Sequence, residues 1–183
     1  MKRLVVNFSG RKNGNCENIS KVIQETFNMD EVEIIGFNHL NVQPCTRCNY
    51  ECFDNKEKCP FYNDEIKVLY NKILESDFVY YVIPNYCGYP CANFFIFNER
   101  SVCVFSKDRE LLNQYLQKSK KFIVISSSNQ DNFKEILQYQ TIMAPDILFL
   151  NASEYNQRSI EGRLMDNENA KNKLIQFLSY MYS

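Results

Sequence analysis

The sequence predicts an α/β fold: a doubly wound sandwich on a five-stranded parallel sheet in the order 2-1-3-4-5. Three observations carry this. Five short apolar runs, at residues 2–8, 32–37, 78–83, 122–125 and 147–150, are spread along the 183-residue chain. The segments between them are long enough for the helical crossovers that parallel strands require. The third run, Phe78-Val79-Tyr80-Tyr81-Val82-Ile83, is apolar almost without interruption, which suits a strand covered on both faces.

Taken in order, residues 2–8 form a first strand, a glycine-containing turn follows, and helical spacing runs over 17–27. The second run, at 32–37, leads into a cysteine-rich loop at 44–62. Ile66, Leu69, Tyr70, Ile73 and Leu74 then recur at helical spacing, with Asn63 or Asp64 as the expected cap. The third strand is expected to end at Pro84, which has no N–H to give. A helix over 131–139 separates the fourth and fifth runs, and an amphipathic helix over 168–181 closes the chain. Residues 152–165 are polar and unpatterned and read as a long surface loop or a small excursion with a possible function. In such sheets ligands lie beyond the carboxyl ends of the strands, so the loops after Phe8, Ile83 and Ile125 should converge.

Length and 45% apolar composition fit a single domain over 1–183. The 21 basic residues nearly balance the 22 acidic ones, and a pI of about 5.9 gives no general attraction to nucleic acid or an anionic membrane. No apolar stretch approaches the ~18 residues that span a bilayer. A cytoplasmic protein with neither nucleic-acid nor membrane partners is therefore expected. In a reducing compartment the eight cysteines read as metal-binding or redox-active rather than as a disulfide framework. The single histidine, His39, reads as an ordinary surface residue and leaves little material for His-based catalysis.

Two segments carry chemistry. The first is Ser9-Gly10-Arg11-Lys12-Asn13-Gly14-Asn15-Cys16, directly after the first strand. Its small residues let backbone N–H groups approach an anion at a helix start, and Arg11 and Lys12 add charge. The spacing matches neither a Walker A loop nor a GxGxxG fingerprint. A plain tight turn with Asn15 as N-cap is the bland alternative. The second segment holds Cys45, Cys48, Cys52 and Cys59, a density that suits a tetrathiolate site for zinc or an iron-sulfur cluster, or a set of redox thiols. Cys87 and Cys91 have a spacing that would place them on one helical face, and Cys91 and Cys103 read as small buried apolar residues.

Ser9, Arg11, Gly14 and Asn15 match in register the first loop of the NADPH-dependent FMN reductases and iron-sulfur flavoproteins, Gly-Ser-x-Arg-x-x-Gly-Asn-Ser/Thr, and the chain resembles that family. Phe8 stands where the family has glycine, and Cys16 where it has a hydroxyl residue. The likeness extends to Pro84-Asn85-Tyr86, similar to a segment ending Pro-x-Tyr, and to Asn98-Glu99-Arg100, near the family's Asp-Arg pair; Phe95 stands about where the family has a lysine. The cysteine segment is similar to that of the cluster-binding branch, with one extra residue in the middle gap.

The resemblance implies a flavodoxin-like three-layer sandwich and an FMN site. Ser9, Arg11, Asn13, Gly14, Asn15 and Cys16 would hold the phosphate, and Pro84, Asn85, Tyr86, Cys87 and Gly88 would edge the isoalloxazine, with Ser126, Ser127 and Ser128 at its polar rim. It also implies a homodimer or higher homo-oligomer. The implied activity takes electrons from NAD(P)H through FMN to a quinone, a nitro or azo compound, or a redox protein. No catalytic acid or base is required, because the cofactor carries the chemistry. The alternatives are an electron carrier with a 4Fe-4S cluster on Cys45, Cys48, Cys52 and Cys59, a non-catalytic module with zinc on those thiols, or a thiol sensor.

Overall fold

The structure is a computed structural model that describes residues 1–45, 48–127 and 132–180. Five parallel strands make the sheet: β1 (Lys2–Asn7), β2 (Glu31–Gly36), β3 (Phe78–Tyr86), β5 (Ser119–Ser126) and β6 (Asp146–Asn151). A two-residue strand, β4 (Tyr89–Pro90), pairs antiparallel with the end of β3. The order is β2-β1-β3-β5-β6, the expected 2-1-3-4-5 arrangement once β4 is set aside.

Side chains alternate across the sheet as a pleated strand requires. Leu4, Val6, Val79, Tyr81, Ile83, Phe122 and Val124 face one core. That core is covered by α2 (Ile66–Glu75), α3 (Ala92–Phe105), α4 (Arg109–Gln117) and α5 (Asn132–Leu137). Val5, Tyr80, Val82, Ile123 and Leu148 face the other, covered by α1 (Asn15–Thr26) and α6 (Glu168–Ser179). Phe8 sits where the first core meets the loops, with the rings of Phe37, Tyr81, Phe94 and Phe97 within 5.8 Å of its own.

Several expectations are corrected. Pro84 does not end the third strand, which continues to Tyr86. In a parallel ladder successive residues point their backbone groups to alternate neighbours. Val82 accepts from Phe8 on the β1 side at 3.0 Å, so Pro84 also faces that side, where β1 has already ended, and its missing N–H costs no ladder bond. Cys87 and Cys91 do not share a helical face, because Cys87 lies in the turn between β3 and β4 while Cys91 caps α3. The cap of α2 is Glu65, although the Asp64 carboxylate accepts from the Ile66 N–H at 3.2 Å. Asn15 is the first residue of α1 and Gly14 its cap. The last helix ends at Ser179 with Tyr180 as its C-cap, short of the expected 181, while residue 131, the start of the expected 131–139 helix, falls outside the described residues.

Helices α3 and α4 had no counterpart in the periodicity reading. The sequence of α3, ANFFIFNERSVCVF, is apolar nearly all round and shows little contrast between faces. The helix needs that composition because α2, α4 and the cysteine loop all pack on it.

Candidate functional site

Three loops meet at the carboxyl ends of β1, β3 and β5. After β1, the Ser9 N–H donates to Asn7 Oδ1 at 2.9 Å and the Arg11 N–H to Ser9 Oγ at 3.2 Å, winding the chain into a tight turn. Asn13 takes a left-handed conformation with φ 53°. Gly14 caps α1 in extended geometry without a side-chain bond, whereas Asp108 and Asn167 cap α4 and α6 through their carboxylate and amide oxygens. The first-turn N–H groups of α1 therefore receive no bond from a cap side chain, the condition under which a helix start receives an anion, while the Glu17 carboxylate in that turn reaches back to accept from the Asn13 N–H at 2.7 Å. The Cys16 thiol is pushed up to about 12 by burial, with nearby Cys91 adding to the effect, so it brings no negative charge to this point.

The side chains here do more tying than sequence reading suggests. Asn15 Nδ2 donates to the Ser159 carbonyl at 2.8 Å, and its Oδ1 accepts from the Leu164 N–H at 3.0 Å. Arg11 donates to the Ile160 carbonyl at 2.6 Å, and Asn18 to that of Gly162 at 2.8 Å. Residues 152–165 are thus strapped onto the 9–16 loop as three short 3-10 turns, with Ala152 and Leu164 fully buried. Gly162, Ser159 and Ile160 are the residues that sequence reasoning missed. The one available signal was a glycine in an otherwise unpatterned stretch.

The loop after β3 is a hairpin. Cys87 and Gly88 both have positive φ, 53° and 90°, the requirement of a two-residue type I′ turn. Asn85 holds it: its Oδ1 accepts from the Gly88 N–H at 2.9 Å, and its Nδ2 donates to Ser126 Oγ at 2.7 Å. Ser127 Oγ is 2.7 Å from Ser159 Oγ, so hydrogen bonds run from the hairpin through the end of β5 and the 152–165 segment to Asn15. At the other flank, Asn93 Nδ2 donates to the Phe8 carbonyl at 3.0 Å. Tyr86 keeps about half its surface in solvent, and partial burial raises its pKa. The structure thus brings together Ser9, Arg11, Asn13, Gly14, Asn15, Cys16, Pro84, Asn85, Tyr86, Cys87, Gly88, Ser126 and Ser127. Ser128 lies outside the described residues. A recess of about 280 Å³ opens between the 9–16 loop and β2, lined by Ser9, Gly10, Arg11 and Lys12 of that loop together with Lys21, Asn38 and His39 among others.

The model of one known family, the NADPH-dependent FMN reductases, matches residues 1–116, which include both the 9–16 loop and the hairpin. The chain belongs to that family. It is an FMN-dependent NAD(P)H reductase by type, with a flavodoxin-like fold. No curated protein sequence matches it. Among solved structures it is similar to the Trp repressor binding protein from Bacillus subtilis, at 13% identity and TM-score 0.67 over 99% of this chain and all of the other. It is also similar to Smu.1420 from Streptococcus mutans UA159, at 17% identity and TM-score 0.68, covering 97% of this chain and 98% of the other. A third is FerB, a flavoenzyme NAD(P)H:(acceptor) oxidoreductase from Paracoccus denitrificans, at 14% identity and TM-score 0.58, covering 98% of this chain and 97% of the other. These likenesses establish the fold.

The structure gives no support to a 4Fe-4S cluster or zinc on Cys45, Cys48, Cys52 and Cys59: among the described residues no group of three or more Cys, His, Asp or Glu side chains is placed to hold a metal ion. Cys52 and Cys59 are buried against Cys103, Phe61 and Tyr62, while Cys45 and Cys48 are half-buried. Arg100, from the Asn98-Glu99-Arg100 segment, is fully buried and pairs with Asp64 at 2.5 Å, so it serves the scaffold under this loop. Among the described residues no helix is long and apolar enough to cross a membrane.

Proposed function

We propose that this FMN reductase binds FMN with its phosphate on the 9–16 loop and its isoalloxazine against the 84–88 hairpin, and passes electrons from NAD(P)H to a quinone, nitro or azo compound or a redox protein. The observation that carries the reading is the uncapped start of α1, inside the family match and strapped by Asn15 and Arg11 to the 152–165 segment. FMN held by these residues would supply the redox chemistry, the two-electron exchange between the nicotinamide and the acceptor.

The chain's own residues then have distinct tasks. Backbone N–H groups at Asn15 and Cys16 face the phosphate, and Arg11 holds positive charge beside it while pinned to Ile160. Ser9 shapes the turn through the Arg11 N–H. Asn85 fixes the hairpin backbone relative to Ser126, so that Pro84 and Gly88 form a rigid edge for the ring. Tyr86 covers the ring face as an amphipathic aromatic. Ser126 and Ser127 supply polar groups at the rim.

Titration of the apoprotein with FMN, followed by flavin fluorescence, tests the assignment. Tight binding by the wild type and loss of at least tenfold in affinity for both Arg11→Ala and Gly14→Val are expected, about 1.4 kcal/mol or more each. Unchanged affinity in both variants would move the phosphate elsewhere. NADH and NADPH oxidation by the loaded enzyme with quinone, nitro and azo acceptors then sorts the acceptor classes.

A further inference from the structure

The cysteine loop carries thiols that the flavin site does not use, and the fold pairs them in a way their spacing did not suggest. Cys59 Sγ lies 3.7 Å from the Sγ of Cys103, 44 residues further along, which α3 brings beneath the loop. Both are buried, at 7% and 3% exposure. Cys45 and Cys48, by contrast, are half-buried.

A second observation points at the same sulfur. Arg100 precedes Cys103 by three residues on α3 and shares its face. Its Nη atoms donate to Asp64, to the Gln43 carbonyl and to the Phe61 carbonyl. Its Nε is buried with no hydrogen-bond partner among the described residues, and Cys103 is among the groups that act on the guanidinium. An unspent N–H on a fixed cation stabilises negative charge developing on an adjacent sulfur.

We propose that Cys59 and Cys103 are a redox-active dithiol that closes to a disulfide on exposure to hydrogen peroxide and staples the cysteine loop to α3. In the first step the Cys103 sulfur attacks one peroxide oxygen and the O–O bond breaks. The departing hydroxide takes the Cys103 thiol proton and leaves as water, and Cys103 is left as the sulfenic acid. The Cys59 sulfur then displaces the sulfenic oxygen, which leaves as a second water with the Cys59 proton. Two thiols and one peroxide become one disulfide and two waters, and a dithiol reductant reverses the change.

This does not rest on the flavin assignment. Cys103 is about 18 Å along the axis of α3 from Cys91, whose end of the helix meets the hairpin. Thiol oxidation and FMN binding can each fail without the other.

The test uses the full chain loaded with FMN, freed of reductant, treated with hydrogen peroxide, alkylated, and digested without reduction for mass spectrometry. A linked peptide pair joining Cys59 to Cys103, removed by dithiothreitol, is the expected result. Cys103→Ser should lose the link, and Cys48→Ser should keep it. The wild-type map decides alone if Cys103→Ser does not fold. Full alkylation of Cys59 and Cys103 after peroxide, predominance of a different pairing, or release of protein-bound zinc or iron in proportion to thiols oxidised would each overturn the proposal.

Discussion

Gly162 packs on the backbone of Asn13 so closely that a Cβ added to it would lie 2.6 Å from the Asn13 carbonyl oxygen. Both residues have positive φ, 74° and 53°, so two left-handed positions nearly 150 residues apart are fitted to one another. Gly162→Ala meets two obstacles: a φ that L side chains resist and a contact with rigid backbone. The 9–16 loop must shift or the 152–165 segment must lift. The expected outcome is a fall in FMN affinity of roughly tenfold, about 1.4 kcal/mol, with only a small drop in Tm. Fluorescence titration with thermal unfolding of the apoprotein checks both, and an unchanged affinity would show that the segment does not shape the loop.

Asn85 is the joint between the hairpin and β5, and its two ends can be separated by substitution. Asn85→Asp keeps an acceptor for the Gly88 N–H but loses the donor to Ser126. Asn85→Ala loses both. Because an unmade hydrogen bond of this kind costs about 1 kcal/mol, FMN affinity is expected to fall several-fold in Asn85→Asp and further in Asn85→Ala. Equal affinities in the two variants would mean that the Ser126 contact alone matters.

The sheet was legible because its signals are local. Val and Ile runs at 2–8, 78–83 and 122–125 must be strands, and their lack of polar alternation requires cover on both faces. The 9–16 loop was legible for the same reason, since its glycines and asparagines sit between a strand and a helix. What could not be read depends on long-range contacts. Asn15 looks like a cap or a phosphate ligand in sequence, and only the fold shows its amide committed to Ser159 and Leu164. The cysteine spacing suggested a single set of ligands, but Cys103, which lies 44 residues beyond Cys59, has its sulfur 3.7 Å from that of Cys59.

Asp64 and Arg100 form a buried pair, at 8% and 0% side-chain exposure, that anchors the cysteine loop to α3. Removing one partner leaves the other charge buried without its counter-ion, a change that typically costs about 3–5 kcal/mol. Asp64→Ala is therefore expected to lower Tm by several degrees or more without altering the FMN affinity of the molecules that remain folded. Denaturant unfolding together with flavin titration separates the two effects. A stable variant with weakened FMN binding would contradict a purely structural role.

Lys120 is a buried cation on β5, 6% exposed, whose Nζ donates to the Tyr115 carbonyl and, at 2.7 Å, to that of Gln140. Burial pushes its pKa down to about 7 from the ordinary 10.5, with nearby Lys118 adding to the effect. Below pH 7 both the native and the unfolded chain carry the proton, and the burial cost is present in full. Between pH 7 and 10.5 the unfolded chain holds a proton that the native protein has released, so this residue makes stability rise with pH across that window. Raised tyrosine pKa values, such as that of Tyr115, which burial lifts, act in the opposite direction at the alkaline end. The contribution of Lys120 is therefore read as a difference. Lys120→Met removes the titrating group while leaving Tyr115 in place, and its stability advantage over the wild type should shrink, or its deficit grow, as pH is raised from 7 to 10. Denaturant midpoints measured at four or five pH values check this. Parallel curves for the two proteins would mean that Lys120 keeps an ordinary pKa despite its burial.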